Sequence, residues 1–122
     1  MQDKLKQYLT EHGYKNIYID FMPAAEKVSD AIGLMKWDAP VSQTFGEVTH
    51  YIQIQIRRKS YDEAKNDCRS IMELFDSGMD ERLIWLDEVS SCIARPRRAP
   101  LILERGAGYT TFYCEIAIWM NE

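Results

Sequence analysis

Two basic clusters, "RRK" at 57–59 and "RPRR" at 95–98, are the residues of this chain whose type and spacing most directly offer chemistry. Guanidinium forks make bidentate contacts with carboxylates, so Arg57, Arg58, Arg95, Arg97 and Arg98 suit pairing with acidic patches on a neighbouring chain. The same positions, at apparent strand ends, equally suit solvated edges that deter strand-to-strand aggregation.

Other chemistry is thinner. His12 and His50 are the only histidines, and neither falls in an HExxH, HxH or Cys-His spacing that would set two ligands on one metal. Cys68, Cys92 and Cys114 are an odd number without a CxxC pair, which argues against a disulfide framework and a structural zinc site. They read as buried, reduced, small hydrophobes. A nucleophilic pair of Cys92 or Cys114 with His50 stays open, because such pairs meet in space rather than in sequence, yet nothing selects one pairing. Asp62, Glu63 and Asp67, like Asp80, Glu81, Asp87 and Glu88, read as helix N-terminal charges and solvated turns. The glycines of "RGAGY" fit neither the P-loop nor the G-x-G-x-x-G spacing and suit a hairpin turn. With 15 basic against 19 acidic residues, a net charge of −4, bulk attraction to nucleic acid is not expected, and a nucleic-acid module would rest on the two clusters alone.

These residues need elements to position them. A chain of 122 residues, 46% hydrophobic and 28% charged, has the size and composition of one globular domain, 1–122. The start, "MQDKLKQYLTEHG", is charged from its third residue and has no apolar h-region, and no apolar run approaches the ~18 residues of a membrane span. The expectation is a soluble chain made in a cytoplasm, with no membrane partner. Leu5, Tyr8 and Leu9 at i, i+3, i+4, with Gly13 as a stop, predict a short amphipathic helix over 2–12. "NIYIDFM" alternates as a half-buried strand ended by Pro23. "AIGLMKW" predicts a second strand whose Gly33 hints at a bulge or a close approach. "DAPVSQTFGEVT", 38–49, has no period and reads as a long loop, open to ordering by a partner.

At 50–78 the hydrophobic period changes from two to about 3.6 at Ser60. Ile52, Ile54 and Ile56 share one strand face; Ser60 and Glu63 make an S-x-x-E capping box; Tyr61, Ala64, Cys68, Ile71, Met72 and Phe75 trace a helical face toward Gly78. "RLIWLDEVSSCIARP" predicts a strand, "APLILER" another short one, and "GAG" a turn into "YTTFYCEIAIWM". There Phe112, Cys114, Ile116, Ile118 and Met120 face one way. Tyr109, Tyr113 and Trp119 lie on the other, an amphipathic face suited to another subunit. The fold class is therefore α+β: a mainly antiparallel sheet of four to six strands, a long helix over about 60–77 packed on one face, and a short N-terminal helix.

The order of "NIYIDFMPAAEKVSDAIGLMKWDAP", "YIQIQIRRKSYDEAKNDCRSIMELF" and "IARPRRAPLILERGAGYTTFYCEIAIWM" resembles the phage minor capsid and tail-completion proteins, the tail-terminator group of long-tailed bacteriophages. The likeness is strongest at "IQIRRKSYDEAKNDC", where Arg57, Tyr61, Glu63 and Ala64 fall at the strand-to-helix junction, and next at "ARPRRAPLIL" around Pro100. "RGAGYT" is shorter than the turn common there, and Trp37 with "DAPVSQTF" lacks a counterpart. The resemblance implies a structural virion protein at the tail-head junction, a homo-oligomer of the hexameric-ring kind that caps the tail tube. Its implied partners are the tail tube protein and a head-completion or connector protein. It implies neither enzyme activity nor a cofactor. The alternatives are a head-side joining protein and a small cytosolic enzyme with a Cys/His site.

Overall fold

A computed structural model describes residues 1–37 and 47–121. Helix α1 (Gln2–Glu11) and helix α2 (Tyr61–Leu74) accompany six strands: β1 (Ile17–Ile19), β2 (Ala31–Trp37), β3 (Glu47–Arg58), β4 (Ile84–Trp85), β5 (Ser91–Gly106) and β6 (Tyr109–Asn121). They form one sheet in the order β1-β2-β3-β6-β5-β4. The class is α+β, but the sheet is mixed rather than mainly antiparallel, because β1 runs parallel to β2.

The central rungs follow the period-2 pattern. Ile52, Ile54 and Ile56 of β3 lie opposite Ile116, Cys114 and Phe112 of β6, and all six are buried. Side chains alternate across a strand, so this register sends the whole apolar set to one face. Leu5 and Leu9 of α1 and Ala64, Cys68 and Ile71 of α2 belong to the same core. Each fully buried isoleucine there contributes roughly 1.5–3 kcal/mol of transfer free energy. Tyr61 meets the Phe112 ring edge-on at 5.1 Å, tying the first turn of α2 to β6.

Several boundaries depart from the sequence pattern, each for a local reason. β1 stops at Ile19 rather than running to Met22, since Asp20 takes a left-handed φ of 64°. There its carboxylate accepts from Gln2 Nε2 at 2.6 Å and from the Lys36 N–H at 3.2 Å. β3 begins at Glu47, so part of the expected 38–49 loop is strand. The remainder, 38–46, lies outside the described residues.

Ser60 caps α2 as expected, its oxygen accepting the Glu63 N–H at 3.1 Å. The expected long helix over 60–77 is not formed, however, and α2 spans 14 residues. The chain is pulled away by β5: the Ser77 N–H donates to the Ala94 carbonyl at 2.8 Å, and Ser77 Oγ accepts the Ala94 N–H at 3.0 Å. Gly78, φ 74°, serves that turn and not the helix cap. The strand expected within 82–96 and the short one over 99–105 are instead a two-residue β4 and one 16-residue β5. Register shifts between Pro96 and Arg98, Arg98 and Leu101, and Ile102 and Glu104 let β5 carry its prolines.

Residues 20–30 cross the face of the sheet away from the helices. A Cβ at Gly33 would come within 2.7 Å of the Met22 sulfur, so the expected close approach at Gly33 is a side chain seated on a strand glycine. Gly33→Val should therefore lower unfolding stability by about 1–3 kcal/mol through overpacking. Adding Met22→Ala should recover part of that loss, and denaturant unfolding of the two variants checks the coupling.

Candidate subunit interface beside the outer strand

The two arginines of the first basic cluster are used within the fold, and Lys59 is exposed. Arg57 ends β3 with only 5% of its surface exposed, and its Nη2 donates to the carbonyls of Pro23 at 2.5 Å and Val28 at 2.7 Å. Its guanidinium lies 5.8 Å from the Tyr109 ring centroid, while Nε is buried without a hydrogen-bond partner. Arg57 is thus a brace that fastens the 23–28 crossing to the sheet, and it is not available as the exposed contact the sequence suggested. Arg58 is also committed: Nε donates to Asp67 of α2 at 2.8 Å and Nη1 to the Arg57 carbonyl at 3.1 Å.

The second cluster is exposed, and β5 sets it beside β6 on the helix-free face. Arg95 lies opposite Ala117 and Arg98 opposite Glu115. Arg95 Nη2 is 3.0 Å from Glu81 Oε1 in an ion pair open to water on both sides, worth at most about 1 kcal/mol. Arg98 Nε stands 3.7 Å from the largely buried Glu115 carboxylate while its own side chain stays 54% exposed. Arg97 stacks on the Tyr51 ring at 4.5 Å and makes no ion pair among the described residues. Tyr113 and Trp119 are half-buried on the same face. Trp119 shares a shallow cleft of about 250 Å³ with Glu81, Ile93 and Arg95. A larger one, about 570 Å³, runs from Met72 and Met79 to Arg95, Pro96 and Arg98.

Tyr109 stands apart from this group, at the β5–β6 turn. Its hydroxyl donates to Glu104 at 2.8 Å, and that bond holds the phenol above its ordinary range. The sequence therefore named eight residues that the fold divides. Arg95, Arg97, Arg98, Tyr113 and Trp119 share one surface, whereas Arg57, Arg58 and Tyr109 do not join it. Sequence reasoning passed over Leu101, Ile102 and Leu103, read as an ordinary short strand but 42–46% exposed on β5. Their one signal was three consecutive apolar residues, which no alternating face can bury together.

The thiols are all buried. Burial pushes Cys92 up to about 11, and Cys114 is raised by a hydrogen bond that its S–H donates to Cys68, together with burial. β6 lies between the strands that carry His50 and Cys92, and Cys114 pairs with Ile54, four residues along β3 from His50. Among the described residues no group of three or more His, Cys, Asp or Glu could hold a metal, and no helix is long and apolar enough to cross a membrane.

No family model and no curated protein matches the sequence. A solved structure resembles the chain with a TM-score of 0.55 at 10% identity, covering 100% of this chain and 96% of that one. At that identity the likeness concerns the fold alone.

Two outcomes follow from this geometry. Arg57→Met should cost about 2–4 kcal/mol in equilibrium unfolding, since it removes two charged hydrogen bonds from a buried guanidinium to part-buried carbonyls. Raised pKa values leave little thiolate at neutral pH, so Cys92 and Cys114 should react with a thiol reagent at pH 7.5 only at the rate of global unfolding, and all three thiols promptly in denaturant. Fast labelling of one thiol in the native protein would contradict this burial.

Proposed function

We propose that this chain is a structural virion subunit of the tail-terminator kind, a homo-oligomer that forms a ring at the end of a phage tail tube. In this role it ends tail growth and meets a head-completion or connector protein. The order of parts along the sequence supports this reading. One structural observation carries it: beside β5, the helix-free face presents Arg95, Arg97 and Arg98 exposed next to half-buried Tyr113 and Trp119. Arginine, tyrosine and tryptophan are the residues that most often anchor protein interfaces. Arginine forks also lose little freedom on pairing with carboxylates of a neighbouring copy.

Electron microscopy of tails assembled without this chain tests the role. Overlong or unstoppered tubes are expected of a terminator. Normal free tails beside filled heads would point to head-side joining instead. The surface is tested separately by Arg97→Glu, which should shift stability by under about 0.5 kcal/mol while weakening association with tube ends. Arg95 and Arg98 are spared in that variant, because reversal there would set a second carboxylate against Glu81 or Glu115. Normal association of the reversed protein at physiological salt would make Arg97 a solvated edge.

A further inference from the structure

We propose that two copies of this chain pair along the outer edge of β5, antiparallel, about a two-fold axis at Leu101. Beyond Ala94, held by Ser77, that edge has no backbone partner among the described residues, because β4 reaches only Ser91 and Cys92. On the free stretch Leu101, Ile102 and Leu103 are 42%, 45% and 46% exposed. A sheet edge of this kind, with open N–H and C=O groups and apolar side chains, is a template for another strand.

The charges choose the occupant. Arg98 stands three residues before Leu101 and Glu104 three residues after it. Antiparallel pairing about Leu101 sets each position before it against the matching position after it. Arg98 of one copy therefore meets Glu104 of the other, and the symmetry makes the same pair twice. Parallel pairing in register would instead place arginine beside arginine. Both groups can make the contact: Arg98 is 54% exposed, and Glu104 accepts from Tyr109 through only one carboxylate oxygen. Pro100 falls opposite Ile102 of the second copy. When Leu101 occupies a hydrogen-bonded pair, that neighbouring position is non-hydrogen-bonded, so the missing proline N–H breaks no rung. The pairing does not rest on the virion role, since a two-fold contact joins copies in pairs whereas a ring runs head to tail.

Cross-linking tests it directly, because the axis brings residue 101 against itself. Leu101→Cys should form a disulfide-linked dimer under mild oxidation, and the buried native thiols do not compete. Val89→Cys, 86% exposed and away from the free edge, is the control and should stay monomeric. In sedimentation, Glu104→Arg should weaken wild-type self-association by at least about tenfold, as like charges then face each other at both ends of the contact, with the folded circular-dichroism spectrum retained. Equal cross-linking of the two cysteine variants, or self-association indifferent to Glu104→Arg, overturns the proposal.

Discussion

The structure depends on the register of β3 against β6. The two strands pair from Glu47 opposite Asn121 to Arg58 opposite Thr110, over all 12 residues of β3. A slip of one residue would turn every side chain to the other face, burying Gln53 and Gln55 under the helices and exposing three isoleucines. Burial on one side alone is enough to forbid that slip. The consequences reach the other side, because the register that buries Ile54 and Cys114 also places Arg57, Tyr113 and Glu115 on the helix-free face. The candidate surface is the complement of the core, fixed by the same alternation.

Much of this alternation was legible in the chain. The limits of β2, the Ser60 cap and the apolar face of β6 follow from periodicity and capping chemistry, which are encoded within a few neighbouring residues. What escaped depends on partners distant in sequence. Ser77 leaves the helical path because Ala94 offers it two hydrogen bonds, and nothing at 74–78 announces Ala94. The parallel pairing of β1 with β2 is a choice of topology to which a half-buried pattern is indifferent. The two prolines near 96 and 100 suggest a break in the strand, yet register shifts absorb them and leave one long β5.

The arginines show the same divide more sharply. "RRK" and "RPRR" look alike as sequence, since both are basic runs at strand ends. Arg57 differs because two carbonyls, 34 and 29 residues earlier, lie within reach of its guanidinium. Arg58 differs because α2 brings Asp67 beside it. A cation bonded to carbonyl dipoles with one buried nitrogen unsatisfied is expensive to build, and its yield is positional: the 23–28 crossing is pinned over the sheet. Setting aside the fold's internal uses of arginine leaves the β5 cluster as the basic run of the two that is exposed.

β5 then has two different surfaces to offer, and they need not compete. Its side chains at 95, 97 and 98 address the helix-free face, while its backbone beyond Ala94 addresses the plane of the sheet. Contacts of the first kind depend on side-chain charge and are weakened by salt. Contacts of the second kind depend on backbone hydrogen bonds and apolar burial, which salt screens little. The register shift between Pro96 and Arg98 twists the strand and so limits how far an added strand can follow it, which confines edge pairing to the run 98–104 about Leu101. A strand so divided can hold one neighbour by its edge while its arginines remain available to another.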